Sequence, residues 1–284
     1  MKKIEFSKYN AQGNDFVIID SLSRSIKLSE DEVKTICDRH FGVGADGLIL
    51  VKKTGNADFY MDFYNMDGSK AEMCGNGIRC MTGFIFEKDL SDKSNLKIGT
   101  LAGIRSVKME IKNKILENIK VNMGKPIFNP KQIPVEFDKE EVFNHKLCVG
   151  NWIFGINCIS MGNPHCVIYI NESEELDNIP LDVWGPAIEK NGFFLNKTNV
   201  EFVKPVDANR VEMRVWERGV GETFACGTGA CAVGVCTIKL GKIKGSVVNV
   251  RALGGDLKVL WESPSGNVSL EGKVQHVFDG VYFM

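Results

Sequence analysis

The sequence predicts a mixed α/β (α+β) protein built from two similar halves. Many short stretches alternate apolar and polar residues as half-buried strands do, whereas few stretches have helical spacing. A Cys-Gly-x-Gly motif occurs once in each half of the chain, at Cys74 and at Cys226. A chain of 284 residues has room for about two domains. We therefore expect two related halves, each carrying one motif.

Strands are expected to dominate. The alternation typical of half-buried strands occurs at 59–63, 107–111, 115–123 and 211–215. Short apolar or alternating runs bounded by Gly, Asn or Asp predict further strands at 15–20, 47–51, 199–203, 246–251 and 256–261. Turn residues separate most of these stretches, so the predicted strands are short.

Three helices are expected. Ser29 and Glu32 form a capping box, which predicts a helix start. The positions that follow at helical spacing are Val33, Ile36, Cys37 and His40. His40 is therefore predicted to pack on the apolar face of this helix. The stretches 74–88 and 226–240 are apolar on nearly every side and rich in small residues, so their helix propensity is low and burial must hold them.

Composition excludes several classes of protein. The 35 basic and 36 acidic residues nearly cancel, so no electrostatic footprint argues for nucleic acid or an anionic membrane surface as a partner. The N-terminus lacks the apolar core of a signal peptide. The most apolar stretch, 224–240, is shorter than the roughly 20 residues that cross a bilayer. We expect a cytoplasmic protein without a membrane span.

The cysteine and glycine patterns argue against a metal or a bound coenzyme. The nine cysteines include no Cys-x-x-Cys pair and the four histidines are scattered, unlike the ligands of a structural zinc site. The Gly-x-Gly-x-x-Gly run at 42–47 precedes a strand-like stretch, where a dinucleotide fingerprint should open a helix. We therefore expect no metal and no cofactor, and we expect most cysteines to be buried apolar residues.

Both Cys-Gly-x-Gly motifs lie at the predicted start of an apolar helix. A cysteine there meets the positive end of the helix dipole, which stabilises its thiolate, and the glycines leave first-turn N–H groups open to an anion. Inversion at a carbon next to a carboxylate needs one group to remove a proton and another to return it to the opposite face. Cys74 and Cys226 therefore predict two-base inversion at a carbon next to a carboxylate, with close packing of a glycine-rich helix start as the structural alternative. The deeper cysteines are predicted to be core: Cys80, Cys231 and Cys236.

Several motifs in a fixed order give the chain a resemblance to the diaminopimelate epimerase family along essentially its whole length. The first half contributes Gly13-Asn14-Asp15-Phe16, and Asn65-Met66-Asp67-Gly68-Ser69 leading into the Cys74 motif. The second half contributes Met161-Gly162-Asn163-Pro164-His165, Thr198-Asn199-Val200-Glu201-Phe202, and the run 216–223 leading into the Cys226 motif. Proline racemases also pair two cysteines, but they usually have His after the first Cys-Gly, where this chain has Asn76.

The resemblance implies cofactor-independent interconversion of LL- and meso-diaminopimelate, in the synthesis of lysine and peptidoglycan precursors. It implies that Cys74 and Cys226 are the acid/base thiols and that His165 and Glu217 tune them or relay protons, without saying which assists which cysteine. First-turn amides would hold the reacting carboxylate, and Arg218, Glu217 and several Asn side chains would hold the distal amino acid head. The implied substrate contacts are Asn14, Asn65, Gly75, Asn76, Asn163, Asn199, Glu217, Arg218, Gly227 and Thr228.

The resemblance also implies a fold and an assembly. Each half is expected to be a curved, mixed sheet around a central apolar helix, with the active site in the cleft between the halves. The stretch 124–134 holds three of the eight prolines and predicts a connector. We therefore expect one half from 1–127 with the returning strand 273–284, and another from 128–272. The implied partners are a small-molecule amino acid substrate and a second copy in a homodimer.

Two departures from the family pattern bear on the substrate. Asn10 and Ala11 stand where His and Gly are common, and the segment 251–255 lacks the proline often seen before its paired glycines. Both leave the two cysteines intact, but the first lies in a loop that the resemblance places at the substrate, where unpaired polar groups decide specificity. The alternatives are a racemase of another amino acid, such as histidine, and, less favoured, an amino-acid-binding protein without catalysis.

Overall fold

The computed structural model describes residues 3–284 as four α-helices, one short 3-10 helix and seventeen strands. The helices are α1 (Glu30–Cys37), α2 (Gly75–Glu87), α3 (Leu181–Glu189) and α4 (Gly227–Lys239), and the 3-10 turn is Leu176–Asn178. The strands are β1 (Lys3–Ala11), β2 (Asn14–Asp20), β3 (Gly47–Lys52), β4 (Phe59–Asn65), β5 (Asn95–Thr100), β6 (Gly103–Lys112), β7 (Ile115–Gly124), β8 (His145–Val149), β9 (Trp152–Ser160), β10 (Pro164–Tyr169), β11 (Asn199–Pro205), β12 (Arg210–Glu217), β13 (Gly221–Thr223), β14 (Val247–Ala252), β15 (Gly255–Leu260), β16 (Val268–Gly272) and β17 (Gln275–Phe283). Strands dominate, and the fold is α+β. None of the helices within residues 3–284 combines the length and the apolar character needed to cross a bilayer.

The chain divides into two compact units. Unit 1 comprises the chain up to Asn122 together with Glu271–Met284, and unit 2 is Met123–Leu270. The changes of unit fall inside β7 and inside β16, a few residues before the predicted boundaries. The proline-rich stretch 124–134 belongs to unit 2, where Ile127 bridges to Ser160 and Val135 to Phe194. Unit 1 therefore contains Cys74, and unit 2 contains Cys226.

The sheet of unit 1 mixes parallel and antiparallel neighbours. β17 runs antiparallel beside β1, and β1 runs antiparallel to β2. From there β2 and β3 are parallel, β3 and β4 antiparallel, β4 and β5 parallel, and β5 and β6 antiparallel. Parallel neighbours need a crossover, and α1 and α2 supply the two crossovers.

Unit 2 repeats this topology. β9 and β10 are antiparallel, β10 and β11 parallel, β11 and β12 antiparallel, β12 and β14 parallel, and β14 and β15 antiparallel. α3 crosses from β10 to β11 as α1 crosses from β2 to β3, and α4 precedes β14 as α2 precedes β5. The repeat visible as two Cys-Gly-x-Gly motifs therefore extends over a whole set of strands and helices, and β2 corresponds to β10.

Each unit is built around one apolar helix. In unit 1, α2 packs against β1, β2, β3, β4 and β17, and in unit 2, α4 packs against β9, β10, β11, β14 and β15. Nearly all residues of both helices are buried, including Cys80, Cys231 and Cys236, as predicted for core cysteines. Small residues permit this close approach: a Cβ on Gly234 would lie 2.6 Å from a methyl carbon of Val259. Burial thus stabilises helices whose intrinsic propensity is low.

The structure corrects two expectations about helices. α1 ends at Cys37 because the Asp38 backbone is extended and its carboxylate accepts the N–H groups of His40 and Phe41, both at 2.7 Å. His40 is therefore exposed, and the prediction that it packs on the helix face is wrong. α3 was not predicted, because Gly185 and Pro186 lower its propensity. Gly185 allows the helix to lie on Trp216, since a Cβ there would be 2.6 Å from the indole ring.

Candidate active site

The two motif cysteines occupy the same structural position in their units. Cys74 is the N-cap of α2 and Cys226 is the N-cap of α4, both with extended backbones. The Sγ of Cys74 accepts the backbone N–H of Gly77, and the Sγ of Cys226 accepts that of Gly229, each at 3.4 Å. A helix N-terminus stabilises negative charge on such a sulfur and on an anion bound to the first turn. Each unit therefore presents a thiol at an anion-binding helix end.

In unit 1 the thiol of Cys74 lies in an amide cluster. Its Sγ donates to the Oδ1 of Asn14 at 3.8 Å, and the Nδ2 of Asn76 donates to the same oxygen at 3.2 Å. The Nδ2 of Asn14 donates to the Oδ2 of Asp46 at 2.8 Å. Asp46 thus fixes the Asn14 amide with its carbonyl oxygen toward the thiol.

A charged network holds the start of β2, where Asn14 lies. The guanidinium of Arg39 bonds both oxygens of Asp15, at 2.8 and 3.2 Å, and Lys8 lies 2.6 Å from the same carboxylate. Arg39 also reaches Asp46 at 2.7 Å. Burial acts to raise the pKa of the Asp15 carboxyl, but the hydrogen bonds from Arg39 and Lys8 outweigh it and lower this pKa to about 2. Asp15 is therefore ionised at neutral pH.

Asn10 and Ala11, which depart from the family pattern, lie in β1 rather than in a loop, and the β1–β2 hairpin turn is formed by Gln12 and Gly13. Gln12 has a φ of 50° and Gly13 one of 82°, which places both in the left-handed region. The fully buried Arg79 of α2 donates to the side-chain oxygens of Gln12 and Asn76. The turn is thereby tied to the first turn of α2, beside Cys74. Asn65 lies at the end of β4, where its Nδ2 donates to the Oγ of Ser69 at 3.0 Å.

In unit 2 the thiol of Cys226 is buried. Its Sγ lies 3.4 Å from the Oγ1 of Thr228, and the Glu217 carboxylate accepts the hydroxyl of Thr223 at 2.5 Å. Burial, followed by the negative charges of Glu217 and Glu201, raises the pKa of Cys226 well above its ordinary value. The thiol is therefore the resting form of this cysteine at neutral pH.

His165 and Glu201 form a fully buried pair in unit 2. Both side chains have 0% exposure, and the Nδ1 of His165 lies 2.6 Å from the Oε1 of Glu201. The other ring nitrogen, Nε2, lies 3.0 Å from the Oδ1 of Asn163. Since both nitrogens are engaged, His165 acts on its surroundings through Asn163 and Glu201.

Asn199 positions the segment that carries Arg218. Its Nδ2 donates to the carbonyl of Pro164 at 2.8 Å, and its Oδ1 accepts the backbone N–H of Arg218 at 2.9 Å. The Arg218 side chain is exposed and donates to the carbonyl of Asn196 at 3.1 Å. Asn199 therefore sets the backbone at the end of β12.

The structure brings together Asn14, Cys74 and Asn76 in unit 1, and in unit 2 it joins His165 to Asn163 and Asn199 to the Arg218 backbone. Sequence reasoning missed two residues that organise these groups, Asp46 and Glu201. The signal for Glu201 was a carboxylate in the middle of an apolar strand whose neighbours are buried on both faces. Within residues 3–284, no group of three or more His, Cys, Asp and Glu side chains is arranged to hold a metal ion.

Comparison with known proteins gives matches over nearly the whole chain. The family profile described as Diaminopimelate epimerase matches residues 6–129 and 157–277. A protein named diaminopimelate epimerase from Methanococcus maripaludis is 43% identical over 98% of this chain and 99% of its own length. The protein of the same name from Acetivibrio thermocellus is 39% identical over 98% of both chains.

Solved structures share the fold at low sequence identity. A Bacillus anthracis phenazine biosynthesis protein of the PhzF family matches with a TM-score of 0.72 and 19% identity, covering 100% of both chains. A hydroxyproline epimerase from Agrobacterium vitis, with bound trans-4-OH-L-proline, matches with a TM-score of 0.73 and 11% identity, covering 99% of this chain and 91% of the other. The two-fold repeated architecture is thus common to proteins of different chemistry.

Proposed function

Since the chain belongs to the diaminopimelate epimerase family and is therefore an isomerase, we propose that it interconverts LL- and meso-diaminopimelate. Cys74 and Cys226 act as the two acid/base groups. The single observation that carries this proposal is the identical placement of the two thiols as N-caps of the central helices, with Sγ to N–H distances of 3.4 Å in both units. Close packing of the two helix starts alone does not require a sulfur atom at the N-cap in both units.

The chemistry follows from one thiolate and one thiol. The thiolate removes the proton from the α-carbon, so that a C–H bond breaks and an S–H bond forms. The electron pair left behind is delocalised into the α-carboxylate as an enolate-like carbanion. The second thiol then gives its proton to the opposite face of the α-carbon and becomes the thiolate. The protonation states of the cysteines are exchanged, and the reverse reaction starts from that exchanged state.

Backbone amides supply the stabilisation of the carbanion. In the first turn of a helix, N–H groups point out along the axis rather than at carbonyls of the same helix. Gly75 and Asn76 provide such amides in unit 1, and Gly227 and Thr228 provide them in unit 2. Donors aimed at developing negative charge contribute strongly to catalysis in a site that excludes water. These amides therefore bind the reacting carboxylate and oppose the charge that grows on it.

The distal head of the substrate needs a cation for its carboxylate and acceptors for its ammonium group. Arg218 offers the cation and Glu217 an acceptor, and Asn199 orients the backbone that carries Arg218. Asn14, Asn65 and Asn163 supply further amide groups. A substrate with only one amino acid head leaves these groups unpaired, which is the basis of specificity for diaminopimelate.

The experiment is inversion in deuterated water followed by chiral analysis. The wild-type protein is expected to convert LL-diaminopimelate to the meso form with deuterium at the inverted α-carbon. Cys74→Ala and Cys226→Ala are each expected to lower the inversion rate by more than about 10³-fold, because a missing acid/base group costs typically 10²- to 10⁴-fold. Cys148→Ala is the matched control, since this exposed thiol lies on β8 and belongs to neither Cys-Gly-x-Gly motif.

Three results contradict the proposal. Inversion at a near-normal rate by either active-cysteine variant removes the two-base mechanism. Efficient inversion of a single-headed amino acid such as histidine or proline, with no turnover of diaminopimelate, keeps the mechanism but assigns the chain to another racemase on the same scaffold. If neither diaminopimelate nor any single-headed amino acid tested gains deuterium at its α-carbon, the chain is an amino-acid-binding protein without catalysis.

A further inference from the structure

The repeat shows that packing does not require the buried pair of Glu201 and His165. Strands β2 and β10 correspond, and their registers pair Phe16 with Gly47 and His165 with Asn199. Phe16 of unit 1 therefore occupies the position of His165. Two residues further along the neighbouring strands, Ile49 occupies the position of Glu201. Phe16 and Ile49 are as fully buried as their polar counterparts.

Both pairs lie against the first turn of the central helix. A Cβ built on Gly77 would lie 3.3 Å from the Cδ1 of Ile49 and 3.6 Å from the ring of Phe16. A Cβ built on Gly229 would lie 2.8 Å from the Oε1 of Glu201. An apolar pair thus fills this place in unit 1, whereas unit 2 buries a carboxylate there. Its second oxygen, Oε2, makes no hydrogen bond to the rest of residues 3–284, which is a cost that packing alone does not explain.

The two contacts of His165 determine where its protons are. The contact of 2.6 Å between Nδ1 and the Glu201 carboxylate needs a shared proton, and the contact of 3.0 Å between Nε2 and the Oδ1 of Asn163 needs an N–H on Nε2. Whichever atom carries the shared proton, Nε2 is protonated. Glu201 and His165 therefore hold two protons between them, and His165 is the donor toward Asn163.

The consequence is visible when the two equivalent asparagines are compared. Asn14 and Asn163 both lie two residues before the equivalent positions of Phe16 and His165. In unit 1, Asp46 binds the NH₂ group of Asn14, and the carbonyl oxygen faces the thiol of Cys74. In unit 2, His165 contacts the carbonyl oxygen of Asn163, so the NH₂ group of Asn163 takes no part in the contact with His165. The same residue type is held as an acceptor in unit 1 and as a donor in unit 2.

We propose that Glu201 is a positioning residue for the reaction: through His165 it fixes the amide of Asn163 with its NH₂ group available to a carboxylate of the substrate. This inference rests on the proposed function. Glu201 and His165 touch neither the substrate nor the reacting atoms, and their role is the orientation of one amide. The proton balance of the epimerisation is unaffected.

Unit 1 supplies the variant that tests this role. The double substitution His165→Phe and Glu201→Ile installs in unit 2 the pair that unit 1 already packs, so the fold is expected to persist. The value of kcat/KM for LL-diaminopimelate is expected to fall about 10- to 100-fold, the range of one hydrogen bond to a charged group. Glu201→Gln is expected to stay within about threefold of wild type, because the Gln amide donates to Nδ1 of a neutral ring and keeps the N–H on Nε2. Glu271→Gln, at a buried carboxylate 3.5 Å from Lys120, is the control and retains wild-type kcat/KM.

The orientation of the Asn163 amide by Glu201 and His165 is tested by a double-mutant cycle. Asn163→Ala alone is expected to lose activity, and adding His165→Phe with Glu201→Ile is expected to cost nothing further, since the amide they orient is gone. Additive losses overturn the inference, as does wild-type activity of the double substitution in a folded protein. A loss in Glu201→Gln as large as that of the double substitution also overturns it, because it assigns the role to charge rather than to orientation.

A spectrum of the wild-type protein tests the same point without turnover. Nitrogen-15 resonances of the four histidine rings, assigned for His165 with His165→Phe, are expected to show a protonated Nε2 in the absence of substrate. An unprotonated Nε2 overturns the inference whatever the activities of the variants. If wild-type protein inverts no diaminopimelate, the proposed function fails. The ring protonation still decides whether Glu201 holds His165 as a donor.

Discussion

The first turn of α4 predicts an asymmetric response to the same substitution in the two units. Gly229→Ala adds a methyl group 2.8 Å from the Oε1 of Glu201, whereas ordinary van der Waals contact begins at 3.4 Å. The carboxylate must therefore move by about 0.6 Å, and it is held by the contact of 2.6 Å to His165. Gly77→Ala brings its methyl group to 3.3 Å from the terminal methyl of Ile49, which needs almost no movement.

These distances translate into opposite effects on stability. Overpacking a rigid site costs about 1–3 kcal/mol, and alanine in place of glycine in a helix gains up to about 1 kcal/mol. We expect Gly229→Ala to lower the free energy of unfolding by up to about 2 kcal/mol and Gly77→Ala to leave it unchanged or raise it by up to about 1 kcal/mol. Urea unfolding of both variants beside wild type measures the difference. Equal stability of the two variants refutes a tight contact between Glu201 and the first turn of α4.

Three further outcomes follow from individual contacts. Asp15→Asn is expected to reduce the loss of stability between about pH 4 and about pH 2. The pKa of the Asp15 carboxyl is lower in the folded than in the unfolded protein, so its ionised form stabilises the fold above the unfolded pKa, and this contribution is lost as the pH falls through about 2. Acid unfolding curves of the variant and wild type measure the difference, and identical curves contradict the prediction. Alkylation of Cys226 by iodoacetamide is expected to be slow at pH 7 and to keep accelerating as the pH rises above about 9, since burial and the charges of Glu217 and Glu201 raise the pKa of Cys226 above its ordinary value. Mass spectrometry of tryptic peptides measures the rate, and a rate that levels off below about pH 9 contradicts this. Ser29→Ala is expected to cost about 1 kcal/mol in urea unfolding through loss of the capping box on α1, and an unchanged midpoint refutes this.

Periodicity and motif position predicted the elements whose local signals agree with their burial. The helices at Cys74 and Cys226 were predicted within one residue of their observed ends, because the Cys-Gly-x-Gly motifs mark the N-caps and the apolar runs have helical length. α3 escaped prediction because its packing on Trp216 overrides the low propensity of Gly185 and Pro186. His40 was placed wrongly because one side chain, Asp38, ends α1 a turn early. Tertiary packing and single capping contacts are not encoded in spacing.

The same distinction applies to the candidate site. Residues such as Asn14 and Asn163 were found through motifs, but their orientation depends on Asp46 and His165, which come from other strands and loops. The sequence does not indicate which end of an asparagine side-chain amide faces the site, since the carbonyl and NH₂ ends are nearly the same shape. Only the neighbours that the fold supplies decide whether it accepts or donates. The sequence therefore predicted candidate side chains and could not predict which group each one presents.

Divergence after duplication has a direct use in the proposed reaction. Two-base inversion begins with one thiolate and one thiol, and two identical half-sites would give no preference between the two assignments. In unit 2, Glu201 and Glu217 add negative charge that raises the pKa of Cys226. In unit 1, the position of Glu201 is taken by the uncharged Ile49. We infer that burial, Glu217 and Glu201 together keep Cys226 in its thiol form, the form from which it acts as the acid, and that burial and Glu217 still do so in Glu201→Gln.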